Sequence, residues 1–208
     1  MRFQDAAPDA RAIVYAGIQA DPLVARAVMN GMSTSAPTWR AMFPTLFGPD
    51  VAAGTDRDRS EAILVASLQV AERGEQVRSQ VRGAIVESLT EMLVRRRPGL
   101  TAPAAVRRER RILFDGVRAE IHPYDVTVER SGAAEAIDCK WGARGINADV
   151  LHQLDDARGH AADEDEPLTA TIVVFDADRS CRVRLDRQTA PHGRTRLVTL
   201  ETLNELAR

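Results

Sequence analysis

Apolar residues recur every three to four positions from about Arg57 to Arg97 and then, past a short linker, at every second position. Ile63, Leu64, Leu68 and Ala71 form one helical stripe, and Val81, Ile85, Leu89 and Met92 form another. Asp56 or Ser60 can cap this stretch, Gly74 divides it into two helices, and Pro98-Gly99 stops it. Upstream, Pro8, Pro22, Pro37, Pro44 and Pro49 break residues 1 to about 55 into several short helical patterns, with Met29, Met32, Trp39, Met42, Phe43 and Phe47 as their large apolar surface. Pro98 to Ala105 reads as the linker between this helical front and a mixed back half.

Strand-like patterning begins with Ile112, Leu113, Phe114 and Val117 in the segment 111–120. From Tyr124 to Arg130, Val126 and Val128 alternate with Asp125, Thr127 and Glu129. Ser131-Gly132-Ala133 supplies a turn and Glu135 to Trp141 returns, so 124–141 is a predicted hairpin. Asn147 caps a predicted helix to about Ala161, with Val150, Leu151 and Leu154 on its buried side. Leu168 to Phe175 is heavily β-branched, like a strand covered on both faces. A short strand near Cys181 to Leu185 and a helix from about Thr199 complete the reading. The back half thus has the order α-β-β-β-α-β, an α/β fold with a mixed sheet between helices. The expected division is a helical extension, 1–75, and a mixed domain, 76–208.

Composition changes this picture little. The 208 residues are 44% hydrophobic and 28% charged with a net charge of -2, as in ordinary soluble globular proteins. No apolar run approaches the roughly 20 residues that span a bilayer, and Met1-Arg2-Phe3-Gln4-Asp5 has no apolar signal core. The expectation is a cytoplasmic protein without a membrane partner. Two cysteines, Cys139 and Cys181, make no disulfide framework, and His122, His152, His160 and His192 lack paired zinc-ligand spacing. Charge is unevenly spread: seven arginines lie between Arg95 and Arg111, a candidate phosphate-binding surface, and Asp163-Glu164-Asp165-Glu166 reads as a solvated acidic loop.

One residue stands apart. Of the 28 basic residues only Lys140 is a lysine; all the others are arginine. An ammonium is a compact charge that can lose its proton when desolvated, whereas a guanidinium is a planar fork that stays charged. On a strand, Asp138 and Lys140 share a face. Closing the hairpin about residues 131–134 brings Asp125 beside them. Two carboxylates at one point make a hard-oxygen site suited to Mg²⁺, which keeps waters for a phosphate substrate. A lysine beside it can orient or deprotonate a water. This is equipment for metal-assisted phosphodiester hydrolysis.

Pro123-Tyr124-Asp125, twelve residues, then Asp138-Cys139-Lys140 resembles the PD-(D/E)XK, or restriction endonuclease-like, nuclease superfamily over about residues 77–176. Gly83-Ala84-Ile85-Val86-Glu87 is similar to the glutamate-bearing first core helix of that family. The resemblance implies metal ligation by Asp125, Asp138 and the Cys139 backbone carbonyl, water activation by Lys140, and metal or water positioning by Glu87. It implies Mg²⁺, with Mn²⁺ substituting, and a nucleic-acid substrate, DNA rather than RNA, in a restriction or defence setting. Tyr124 separates Pro123 from Asp125, and Ala157 stands where a Gln-x-x-x-Tyr element starting at Gln153 would place tyrosine.

Arg144, in the Gly142-Ala143-Arg144-Gly145 loop, and Gln153 are candidate substrate contacts. A second reading stays open from the residues: a nuclease-like fold kept for nucleic-acid binding or assembly, with the N-terminal helices carrying self-association or a protein partner.

Overall fold

The computed structural model describes residues 28, 35, 37–42, 57–100, 105–110, 113–114, 117–118, 123–130, 132–190 and 193–208. They fall in two compact units, Met1–Ile85 and Val86–Arg208. In the first, 37–42 is helical and Trp39 is fully buried, its indole N–H donating to Ser67 Oγ at 2.6 Å. Helix α1, Arg57–Ala71, follows, with Ile63, Ala66, Leu68 and Val70 buried. Gly74, at φ +84, supplies the left-handed residue that separates α1 from α2, Glu75–Val94. The rest of the expected helical front, including the Asp56 cap and the Met29 and Phe47 surface, lies outside the described residues, as do His122 and His192.

The second unit holds a five-stranded mixed sheet flanked by helices, an α/β architecture, in the order β1-β4-β5-β6-β7. Its strands are β1 Val106–Arg110, β4 Tyr124–Arg130, β5 Ala133–Lys140, β6 Leu168–Val174 and β7 Arg196–Val198. β2 Leu113–Phe114 and β3 Val117–Arg118 form a separate small hairpin. The first sheet strand is therefore not 111–120 but the preceding Val-Arg-Arg-Glu-Arg. Its only apolar residue is Val106, and among the described residues it pairs only with β4, so it lies at the edge of the described sheet, where charged side chains are accommodated. Pairing runs Val106↔Val128, Arg107↔Thr127 and Arg108↔Val126, passes over Glu109, which sits at φ +52, and resumes at Arg110↔Tyr124.

The 124–141 hairpin forms as expected, with Arg130↔Ala133 closing it and Gly132 in the turn at φ +75. β5 then pairs in parallel with β6, Asp138↔Ile172 and Lys140↔Val174, through the crossover helix α3, Ala148–Asp163. Asn147 caps α3, its Oδ1 accepting from the Val150 N–H at 3.0 Å. Leu151, Leu154 and Ala157 of α3 pack with Ala136, Ala170, Ile172 and Val174 of the sheet. Each large apolar side chain so buried contributes about 1.5–3 kcal/mol.

The segment expected as a strand near Cys181 is helix α4, Asp178–Asp186. Cys181, Val183 and Leu185 alternate, but only Cys181 is fully buried and Val183 is exposed, while Asp178 and Arg182 pair one turn apart. The C-terminal element, Leu200–Ala207, is a 3₁₀ helix with Thr199 and Thr202 forming a reciprocal capping box. Among the described residues no helix is long and apolar enough to cross a membrane.

Candidate functional site

The carboxyl end of β5 and the amino end of β4 place three of the expected residues together. Val126 pairs with Ile137, so one step further along the antiparallel ladder Asp125 stands opposite Asp138. Asp125 Oδ2 accepts the Cys139 backbone N–H at 2.6 Å. Lys140 Nζ lies 2.6 Å from Asp138 Oδ2, and Asp138 is buried. Lysine and both aspartates thus occupy one patch, with the Cys139 peptide between them.

The electrostatics of the patch follow from too much negative charge in too little water. Burial, the Asp138 carboxylate and the Glu87 carboxylate push Asp125 up to about 7, against the Cys139 N–H and Lys140, which pull it down. Burial acts to lower Lys140, but the charge and hydrogen bond of Asp138, with Asp125 behind it, prevail and raise it, so the side chain is held as an ammonium. The Cys139 thiol is buried and held well above its ordinary range by burial and by Asp125; its Sγ lies 3.5 Å from Thr90 Oγ1 on α2. Burial and Asp176 push Cys181 up to about 12. Both cysteines are thus held as thiols rather than thiolates at neutral pH.

Glu87 reaches this field from α2 but is bound elsewhere: its Oε2 pairs with the Arg108 guanidinium of β1. Glu91, one turn on, lies 3.8 Å from the same Arg108. Arg108 therefore holds the helix carboxylate at the edge strand, and Glu87 acts on Asp125 through charge. Arg144 is exposed in the 3₁₀ turn Ala143–Gly145 that follows Lys140. Gln153 is half-buried on α3, and its backbone carbonyl accepts the Tyr124 hydroxyl at 3.1 Å, tying the residue before Asp125 to the crossover helix.

Several supporting residues carry no conspicuous sequence signal. Asp176, just beyond β6, accepts from the Ala143 N–H at 3.0 Å and the Ala177 N–H at 2.8 Å. Arg184 Nε donates to the Ile146 carbonyl at 2.9 Å. Together they fix the loop after Lys140, and the Phe175 N–H donates to the Lys140 carbonyl at 2.9 Å. Gly145 leaves the room that the lysine stem occupies. The one available clue to Asp176 is an acid at the exit of a strand whose last five residues are buried.

Among the described residues, no group of three or more His, Cys, Asp or Glu is arranged to hold a metal ion. Two carboxylates and a peptide carbonyl are nonetheless the complement that Mg²⁺ takes alongside waters. The crowding that lifts Asp125 is the kind a hard cation relieves, so the donor chemistry fits. No family model, curated protein or solved structure matches the chain.

Proposed function

We propose that this protein is a divalent-metal-dependent nuclease of the PD-(D/E)XK type, hydrolysing phosphodiester bonds of nucleic acid, DNA rather than RNA. The observation carrying this reading is the convergence of Asp125, Asp138 and the sole lysine at one end of the β4-β5 hairpin. The element order α2-β1-β4-β5-α3-β6, with the small β2-β3 hairpin inserted, supports it.

Asp125, Asp138 and the Cys139 carbonyl would hold Mg²⁺ or Mn²⁺, with Glu87 adding negative potential from α2. The ion supplies Lewis-acid stabilisation of charge developing on phosphoryl oxygens. Lys140, positioned by Asp138, orients the attacking water or gives a proton to the departing oxygen. Arg144, exposed on the loop directly after Lys140, neutralises a flanking phosphate.

Purified protein incubated with plasmid and Mg²⁺ is expected to nick or cleave it, and Asp138→Ala to abolish the cleavage. Absence of cleavage across single- and double-stranded DNA and RNA, with both Mg²⁺ and Mn²⁺, refutes this reading and leaves a nuclease-like fold used for binding.

A further inference from the structure

At the opposite end of β5 from Lys140, a cavity of about 210 Å³ opens on the sheet. Its floor is a cross-strand row: Val128 pairs with Glu135, and Glu135 pairs with Thr169. Its walls are Arg97 from the turn after α2, Arg130 from the end of β4, Arg196 from β7, and Arg208. Four arginines thus line one small space.

The acids there do not balance them. Glu135 is buried and pairs with Arg97 Nη1, while its other oxygen accepts from Thr171 Oγ1 at 2.7 Å. Glu205 lies 3.5 Å from Arg196. Arg130 and Arg208 form no ion pair among the described residues.

Arg97 is the anchor. It is only 7% exposed; its Nε donates to the Leu206 carbonyl at 2.7 Å, and its Nη2 is buried with no hydrogen-bond partner. A buried donor left unmade costs about 1–3 kcal/mol and calls for an acceptor. A tetrahedral oxyanion has acceptor oxygens facing several ways, and guanidinium forks match phosphate geometry. The volume is below the roughly 300–1,000 Å³ of sites that take whole drug-sized ligands, so it suits a small group.

We propose that the cavity walled by Arg97, Arg130, Arg196 and Arg208 is a binding site for a phosphate group. Its two sources are free inorganic phosphate and the terminal phosphate of a nucleic-acid strand. The site stands apart from the Asp138-Lys140 patch and does not depend on nuclease activity.

Titration calorimetry on the full chain in chelator, with inorganic phosphate as the probe, tests it. Saturable binding is expected that Arg130→Ser and Arg208→Ser each weaken by about tenfold or more, as loss of a charge-assisted contact does, and that Arg179→Ser, at an exposed arginine outside the cavity, leaves unchanged. Both arginines are exposed, so these variants are expected to keep the wild-type circular dichroism. A 5′-phosphorylated oligonucleotide binding more tightly than its 5′-hydroxyl twin identifies the strand end as the source; equal affinity identifies free phosphate. Absence of saturable phosphate binding, or binding equal in the arginine variants and wild type, overturns the proposal.

Discussion

Lys140 rests on Gly145: its Cβ, Cγ and Cδ each lie 2.9 Å from where a Cβ at position 145 would stand. Glycine is required here by close approach. Gly145→Ala is expected to displace the lysine stem or the loop, at a cost of about 1–3 kcal/mol. Urea denaturation measures the cost, and plasmid cleavage should fall with it. Unchanged cleavage in a folded Gly145→Ala protein would show that the lysine need not be held so closely.

Lys140→Arg retains the charge facing Asp138 but substitutes a planar fork that keeps its proton. Cleavage is expected to drop by about two orders of magnitude or more, as for loss of a positioned acid or base, while circular dichroism stays that of the wild type. A variant that cuts normally would reduce the pair to a structural contact.

Asp125 makes stability depend on pH. Its folded value of about 7 is above the ordinary 3.8, so between those values the folded chain keeps a proton that the unfolded chain has released. The sign is therefore a loss of stability as pH rises from about 4 to 7. Asp125→Asn retains an acceptor for the Cys139 N–H without the charge. Thermal unfolding in chelator should find the variant close to wild type at pH 4 and about 5 °C or more above it at pH 8. Parallel pH profiles for the two proteins would contradict the buried-charge account.

A divalent ion should relieve the same crowding. At pH 8, Mn²⁺ at about a hundredfold excess over its Kd is expected to raise the wild-type Tm by about 5 °C or more and to leave Asp138→Ala nearly unmoved. Identical shifts in both proteins would place the ion elsewhere.

Glu135 is the buried counter-ion of Arg97 and the acceptor for Thr171. Glu135→Ala leaves a guanidinium uncompensated in the interior and is expected to cost about 3–5 kcal/mol by chemical denaturation. A loss below about 1 kcal/mol would mean that Arg97 finds another partner.

The hairpin, the α3 cap and the β6 strand were legible because each rests on local signals: alternation, a turn glycine, an Asn before an apolar stripe. Asp125, Asp138 and Lys140 came with them, since antiparallel register follows from where the turn lies. β1 was not legible, because an edge strand of arginines has no alternation to read. α4 was misread because three alternating apolar residues do not show whether their neighbours are covered. The Arg108 hold on Glu87 and the Asp176 hold on the loop join residues 21 and 33 positions apart, which no local pattern encodes.

β5 is gripped on both sides, with Ile137 set against Val126 on one flank and Asp138 against Ile172 on the other. Side chains change face at every step, so one residue inserted between Ala133 and Ile137 would turn Asp138 and Lys140 to the far side of the sheet with their identities intact. Such a chain would keep every site residue in its alignment column and still have no site. Among descendants of this sequence, strand length is as informative a mark of the patch as the lysine itself.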